Sequence, residues 1–228
     1  MPEPILAPPA LAAERERFPS AADYAYAEIR EAIVDGRFAP ARRMREIELS
    51  EWLGISRTPL RQALARLELD GLLENLPRAG LVVSSLDEQA VFELYETREA
   101  LEGTAAAMAA RHATERDLDR LEALLGAFEP AGLSSIELFR ANRAFHEAIY
   151  GSAHNRFLLK SLKSLHDALA LLGPTTLTVA GRPEQAREEH GRMVRAIRGR
   201  DPVAAETEAR THIRNGFPLR KRLRAQSG

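Results

Sequence analysis

The sequence predicts a mainly α-helical chain in two parts: a small N-terminal unit with one β-hairpin, then a larger all-α bundle. Three observations lead there. Apolar residues recur at helical spacing along most of the chain. A strand-like run appears once, at Leu81-Val82-Val83, after the turn residues Pro77-Arg78-Ala79-Gly80. Proline and glycine breaks divide everything after residue 85 into helical segments, with no strand pattern among them.

The N-terminal unit is organised on Glu46–Leu73. Glu46–Leu53 reads as a short helix, and Gly54 supplies the turn after it, where a residue without Cβ costs least. Ser56 stands at the N-cap position of a second helix, from Arg57 to about Asp70. Pro59 falls in its first turn, where the missing N–H does no harm, and Gly71 ends it. Leu60, Ala63, Leu64 and Leu67 form its core face. Arg57, Thr58, Arg61, Gln62 and Ala65 lie on its other faces, so its opening turns offer two guanidinium groups, a hydroxyl and an amide. That is the layout of a helix-turn-helix whose second helix enters a DNA major groove N-terminus first. Arginine suits such a position because its planar fork binds guanine bidentately or holds a phosphate. The hairpin that follows has Arg78 near its tip and makes the unit a winged helix-turn-helix, with Arg78 against a phosphate or in the minor groove. Ala21–Asp35 is expected as its first helix, stopped by Gly36. Trp52 is expected to pack rather than to touch DNA.

Residues 25–83 resemble the DNA-binding domain of the GntR family of bacterial transcription regulators. The resemblance is carried by IREAIVDGRFAPARRMRE, ELSEWLGISRTPLRQALARLELDGLL and PRAGLVV. It implies that Arg57, Thr58 and Arg61 lie on the recognition helix, and Arg78 and Gly80 on the wing.

Composition sets the bounds. The 228 residues allow one large or two small domains, and 45% apolar with 29% charged content fits a soluble globular chain. The absence of cysteine excludes disulfides and thiolate metal sites. No apolar run approaches the ~20 residues of a membrane span. The N-terminus lacks the pattern of a secretory signal, so cytoplasm is expected. A net charge of −1 neither announces nor excludes a nucleic-acid partner, because only one surface needs to be positive. The expected domains are a disordered tail over residues 1–20, the winged unit over 21–84 and the bundle over 85–228.

The bundle is expected as six helices: Asp87–His112, Glu115–Phe128, Ser134–Gly151, Asn155–Leu172, Pro183–Gly199 and Pro202–Arg222. Its chemistry lies where polar residues interrupt apolar stripes. On the third helix Asn142 falls within the stripe Leu138, Ala141, Phe145, Ile149, and His146 lies one turn on. His190 points into the stripe of the fifth helix, and His212 flanks that of the last. Three imidazoles and an amide converge from three helices, and burying them unpartnered is costly. One shared cation satisfies all four. Zinc is the first expectation, with nickel, manganese and iron(II) as alternatives, and coordination positions remain open for a small molecule. His112, His154 and His166 have no such company and are expected as surface or packing residues. Arg98 also interrupts a stripe, one turn before Glu102. It is expected to pair with Glu102, to hold a carboxylate ligand, or both, with Tyr95 and Arg140 lining the same space.

LYETREALEG, NRAFHEAIYGSAHNRFL and REEHGRMVRAIRGRDPVAAETEARTHI resemble the FCD ligand-binding domain of the FadR-like branch of GntR regulators. The resemblance implies a metal held by Asn142, His146, His190 and His212. It also implies a homodimer on an inverted-repeat operator. The function expected is a transcription repressor controlled by a small carboxylate effector at the metal. A metal-dependent hydrolase or isomerase is the rival, and a purely structural metal is another. Against the enzyme, Glu189 is the only carboxylate immediately beside the set, and its helix position is expected to turn it away from His190.

Overall fold

The computed structural model describes residue 9, residues 12–173 and residues 175–227. The chain forms two compact units: Met1–Leu86 with Asp167–Gly173, and Asp87–His166 with Pro174–Gly228.

The first unit contains α1 (Ala21–Val34), α2 (Glu46–Leu53), α3 (Arg57–Leu69), β1 (Leu73–Leu76) and β2 (Gly80–Val83). Ser20 starts α1, its hydroxyl accepting from the Asp23 N–H at 3.1 Å. Gly54, at φ 62°, ends α2 in the left-handed conformation that its lack of Cβ permits. Ser56 holds the N-cap position of α3 without a side-chain cap bond. The turn is closed instead by Ser50, whose hydroxyl donates to the Ile55 carbonyl at 2.6 Å. Leu60, Ala63, Leu64 and Leu67 face a core shared with Tyr24, Ile29, Ile33, Leu49, Leu53, Leu73 and Val83. Each large side chain fully buried there contributes roughly 1.5–3 kcal/mol. Trp52 is half-buried with its ring 5.2 Å from Phe38.

The two strands pair antiparallel from Leu73 with Val83 to Leu76 with Gly80. Arg78, at the turn between them, is held at φ 68°. The segment before α2, which reads from the sequence as a plain connection, adds a third rung to this sheet. The Ala41 N–H donates to Val83 O and Met44 N–H to Leu81 O, while Val83 N–H donates to Arg42 O, each at 2.9 Å. The tail, expected as disordered or loosely attached with room for a short helix, is described in part. Residues 1–8, 10 and 11 lie outside the described residues. Ala12–Arg17 is a short 3-10 helix. Beyond it Phe18 packs on Tyr24 at 5.7 Å, and Arg15 donates to the Gly54 carbonyl at 3.3 Å. These contacts attach this part of the tail to the winged unit.

The second unit contains α4 (Glu88–His112), α5 (Glu115–Ala127), α6 (Ser135–Ser152), most of α7 (Arg156–Ala170, whose residues from Asp167 on belong to the first unit), α8 (Arg182–Arg198) and α9 (Pro202–Ser227). A 3-10 turn at Thr176–Thr178 precedes α8. α5 and α6 both begin in capping boxes, Thr114 with Asp117 and Ser134 with Glu137. Each box satisfies two otherwise unpaired N–H groups. α4 and α9 run antiparallel: Phe92 meets Phe217 at one end, and Gly103 meets Arg210 nearer the other. A Cβ at Gly103 would lie 2.8 Å from Arg210 Cγ, so glycine permits this approach. α8 and α9 form a helical hairpin, and α4, α6, α8 and α9 enclose the polar centre described next.

Candidate functional site

α6, α8 and α9 each deliver one histidine to the interior of the second unit. His146, His190 and His212 are 4%, 0% and 6% exposed, so all three rings are inside. One ring nitrogen from each lies within 4.8 Å of the others, a spacing that one ion can span. His190 is stacked on Phe145 at 4.2 Å and meets Phe128 edge-on at 5.3 Å. These aromatic contacts fix the ring but satisfy neither nitrogen.

Two buried carboxylates orient the other rings. His146 Nδ1 is 2.9 Å from Glu102 Oε2, and Arg98 Nε donates to Glu102 Oε1 at 2.8 Å. His212 Nδ1 donates to Glu189 Oε2 at 2.6 Å, and Asn215 Nδ2 donates to Glu189 Oε1, also at 2.6 Å. With the proton of each ring on Nδ1, the lone pair is on Nε2. This is the support that metal-binding histidines ordinarily receive. His146 Nε2 and both nitrogens of His190 are buried without a hydrogen-bond partner. Leaving such groups unsatisfied costs roughly 2–7 kcal/mol each. The donor set therefore fits a cation, and imidazole nitrogens suit zinc among others.

The charge states agree. Burial, reinforced by the neighbouring imidazoles and Arg182, holds His190 and His212 well below the ordinary histidine range, so both are neutral. Burial alone would raise the Glu102 carboxyl. Arg98 and His146 override it and hold Glu102 well below the usual carboxylate range, so it stays charged. Glu189, expected to turn away from His190, has a partner among the set that the sequence did not foresee. Its carboxylate does not face His190, its neighbour on α8, but it reaches across to α9 and bonds His212. Glu102 is a second carboxylate in the same role, missed from sequence although Arg98 and Glu102 stand one turn apart in an apolar stripe. Glutamine at Glu102 or Glu189 should weaken metal binding by roughly 10–100-fold each, measured by chelator competition, with the helical content unchanged.

Asn142 is half-buried one turn before His146. Arg98 is 12% exposed at its side chain, with its guanidinium 5.1 Å from the centroid of the buried Tyr95 ring. Tyr95 packs in turn on Phe217 at 4.9 Å. Arg140, expected to line the same space as Arg98, is exposed on α6 near Glu137. His112 and His154 are exposed, and His154 bonds Asp117 at 2.8 Å. His166 is half-buried on α7, with its ring 6.4 Å from that of Tyr150, and burial takes it down to about 3. Tyr150, not anticipated from sequence, is buried, and burial with the Glu102 charge raises its hydroxyl well above the ordinary range.

In the first unit Arg57, Thr58, Arg61, Gln62 and Ala65 are exposed on α3, opposite its buried face. Arg61 Nε is 2.9 Å and 3.0 Å from the two carboxylate oxygens of Glu46, a partner not foreseen from sequence. Arg78 is exposed at the hairpin turn, and Gly80 follows at φ 74°.

Comparison with known proteins assigns these two units. Residues 21–83 match the family described as bacterial regulatory proteins, gntR family, and residues 93–215 match the FCD domain. The chain belongs to the GntR family of transcription regulators. This GntR regulator is 32% identical over 191 residues to the uncharacterized HTH-type transcriptional regulator YdhC of Bacillus subtilis, covering 82% of this chain and 85% of that one. It is 30% identical over 194 residues to the probable D-xylose utilization operon transcriptional repressor of Paenarthrobacter nicotinovorans, covering 82% of each. It is also 30% identical over 193 residues to the Glc operon transcriptional activator of Escherichia coli, covering 74% of this chain and 76% of that one. Among solved structures, McbR/YncC of E. coli aligns with a TM-score of 0.78 at 23% identity, over 90% of this chain and 99% of that one. That likeness establishes the fold. The protein is a DNA-binding regulator like these relatives, and not an enzyme. Among the described residues no helix is long and apolar enough to cross a membrane.

Proposed function

We propose that this GntR regulator is a repressor whose operator affinity is set by a small organic acid bound at a metal ion in the FCD domain. The observation that carries the reading is the trio of buried histidines, two fixed through Nδ1 by carboxylates and one with no hydrogen bond at either nitrogen. Asn142, His146, His190 and His212 would hold the ion, zinc first, with nickel, manganese or iron(II) as the other candidates. Bound there, the ion supplies an electropositive point with open positions for an oxygen ligand. Asn142 is neutral, so this ligand set adds no anionic charge of its own, and an acid effector complements it. Arg98 and Tyr95 stand on the same side of α4 as Glu102 and belong to the effector's surroundings.

On the DNA side Arg57, Thr58 and Arg61 read the major groove, and Arg78 with Gly80 brings the wing to the backbone. The regulator acts in the cytoplasm as a homodimer on an inverted-repeat operator, protein and DNA two-folds matching. An effector changes operator affinity only if it prefers one of two arrangements of the dimer. The test is operator binding by fluorescence anisotropy on metal-loaded protein, with a panel of hydroxy, sugar and amino acids. At least one acid should shift the affinity by about 5–150-fold, the usual range of such coupling. If every acid in the panel leaves operator affinity unchanged, effector control is wrong.

A further inference from the structure

α8 begins at Arg182, with Gly181 at φ 76° as its N-cap. The Arg182 side chain runs along the helix to Glu189, seven residues on. The Arg182 guanidinium is also almost completely buried, at 3% exposure. Its Nε and Nη1 make no hydrogen bond. Nη1 lies 2.8 Å from Glu189 Oε2, but away from the N–H direction, so that pairing is Coulombic only. Glu189 is already served by hydrogen bonds from His212 and Asn215. Nη2 lies 3.3 Å from His212 Nδ1, whose proton is directed at Glu189. A buried guanidinium without aligned acceptors is costly, and it stands beside the histidine cluster. Arg98 differs, because its Nε is committed to Glu102.

We propose that Arg182 is the carboxylate anchor of the FCD site: one carboxylate of a small organic acid sits on its guanidinium, while another oxygen of the same molecule faces the three histidines. The planar fork can hold that carboxylate through two hydrogen bonds. This rests on the effector reading above and gives Arg182 the anchoring role for which the sequence singled out Arg98.

The experiment is calorimetric titration of zinc-saturated, full-length protein with acetate, lactate and citrate. Wild type should bind at least one of them. Arg182→Gln should bind that acid about 10–100-fold more weakly, the range set by losing charged hydrogen bonds, at unchanged zinc stoichiometry. Arg182→Lys, which keeps the charge without the fork, should fall between the two, and it carries the test if the glutamine variant does not fold. Binding within twofold of wild type in either variant overturns the assignment and leaves the effector reading standing. If zinc-saturated wild type binds none of the three acids, the effector reading fails and this inference falls with it.

Discussion

Alanine at His190 should abolish metal loading. The ring offers a nitrogen to the centre and has no other polar partner, so nothing in the protein replaces it. Loss of a supporting residue around a metal typically costs 10–100-fold in affinity, and loss of a ligand should exceed the upper end of that range, roughly 100-fold. Metal analysis of the purified variant should fall from one ion per chain toward none. The rise in melting temperature that zinc gives the wild type should vanish with it, because a ligand stabilises only in proportion to its binding. The change in that rise is the quantity to read, not the absolute melting temperature. His190 packs on both Phe145 and Phe128, so removing its ring also opens a cavity and lowers the metal-free baseline. Should the His190→Ala protein retain a full complement of zinc, the three-histidine centre is wrong.

Alanine at Arg57 should weaken operator binding by about 1–3 kcal/mol and relax discrimination at one base pair, the signature of a lost bidentate base contact. Arg57 is exposed in the first turn of α3 and has no ion pair among the described residues. Arg61 is a less clean probe. Its pair with Glu46 must open or rearrange as DNA approaches, so substituting it changes two things at once. The pair lies at the surface, with Arg61 exposed and Glu46 partly so, and adds little stability. Anisotropy with the operator and with single-base variants, at two salt concentrations, separates base reading from phosphate contact. A uniform loss across all sequences, with a reduced salt slope, would instead place Arg57 on the backbone.

Much of this is legible without coordinates, for a definable reason. Helical periodicity and Gly and Pro breaks are local signals, and α2 and α4 to α6 lie within a residue or two of where the pattern puts them. The polar residues interrupting those stripes are visible singly, and the convergence of His146, His190 and His212 follows because each marks the inward face of its own helix. Pairings between elements are not visible. Glu189 bonds a histidine on α9 and Glu46 an arginine on α3, and spacing along one helix does not encode either. Arg182 is hidden because it sits between Gly181 and Pro183 and reads as part of a break, whereas α8 starts one residue earlier than Pro183. The strand-like segment at 41–44 is hidden for the same kind of reason: its hydrogen bonds are made to distant residues, and its own residues look like a turn.

Glu189 Oε2 lies 2.8 Å from Arg182 Nη1 and 2.6 Å from His212 Nδ1. If an acid sits on Arg182 as proposed, it tugs on the carboxylate steadying the His212 ring, and the reverse also holds. Metal occupancy and acid occupancy cannot then be independent variables. By thermodynamic reciprocity, whatever factor the ion applies to the acid's dissociation constant, the acid applies to the ion's. On the proposed reading, a cell starved of the cation would alter the metabolite concentration at which the gene responds.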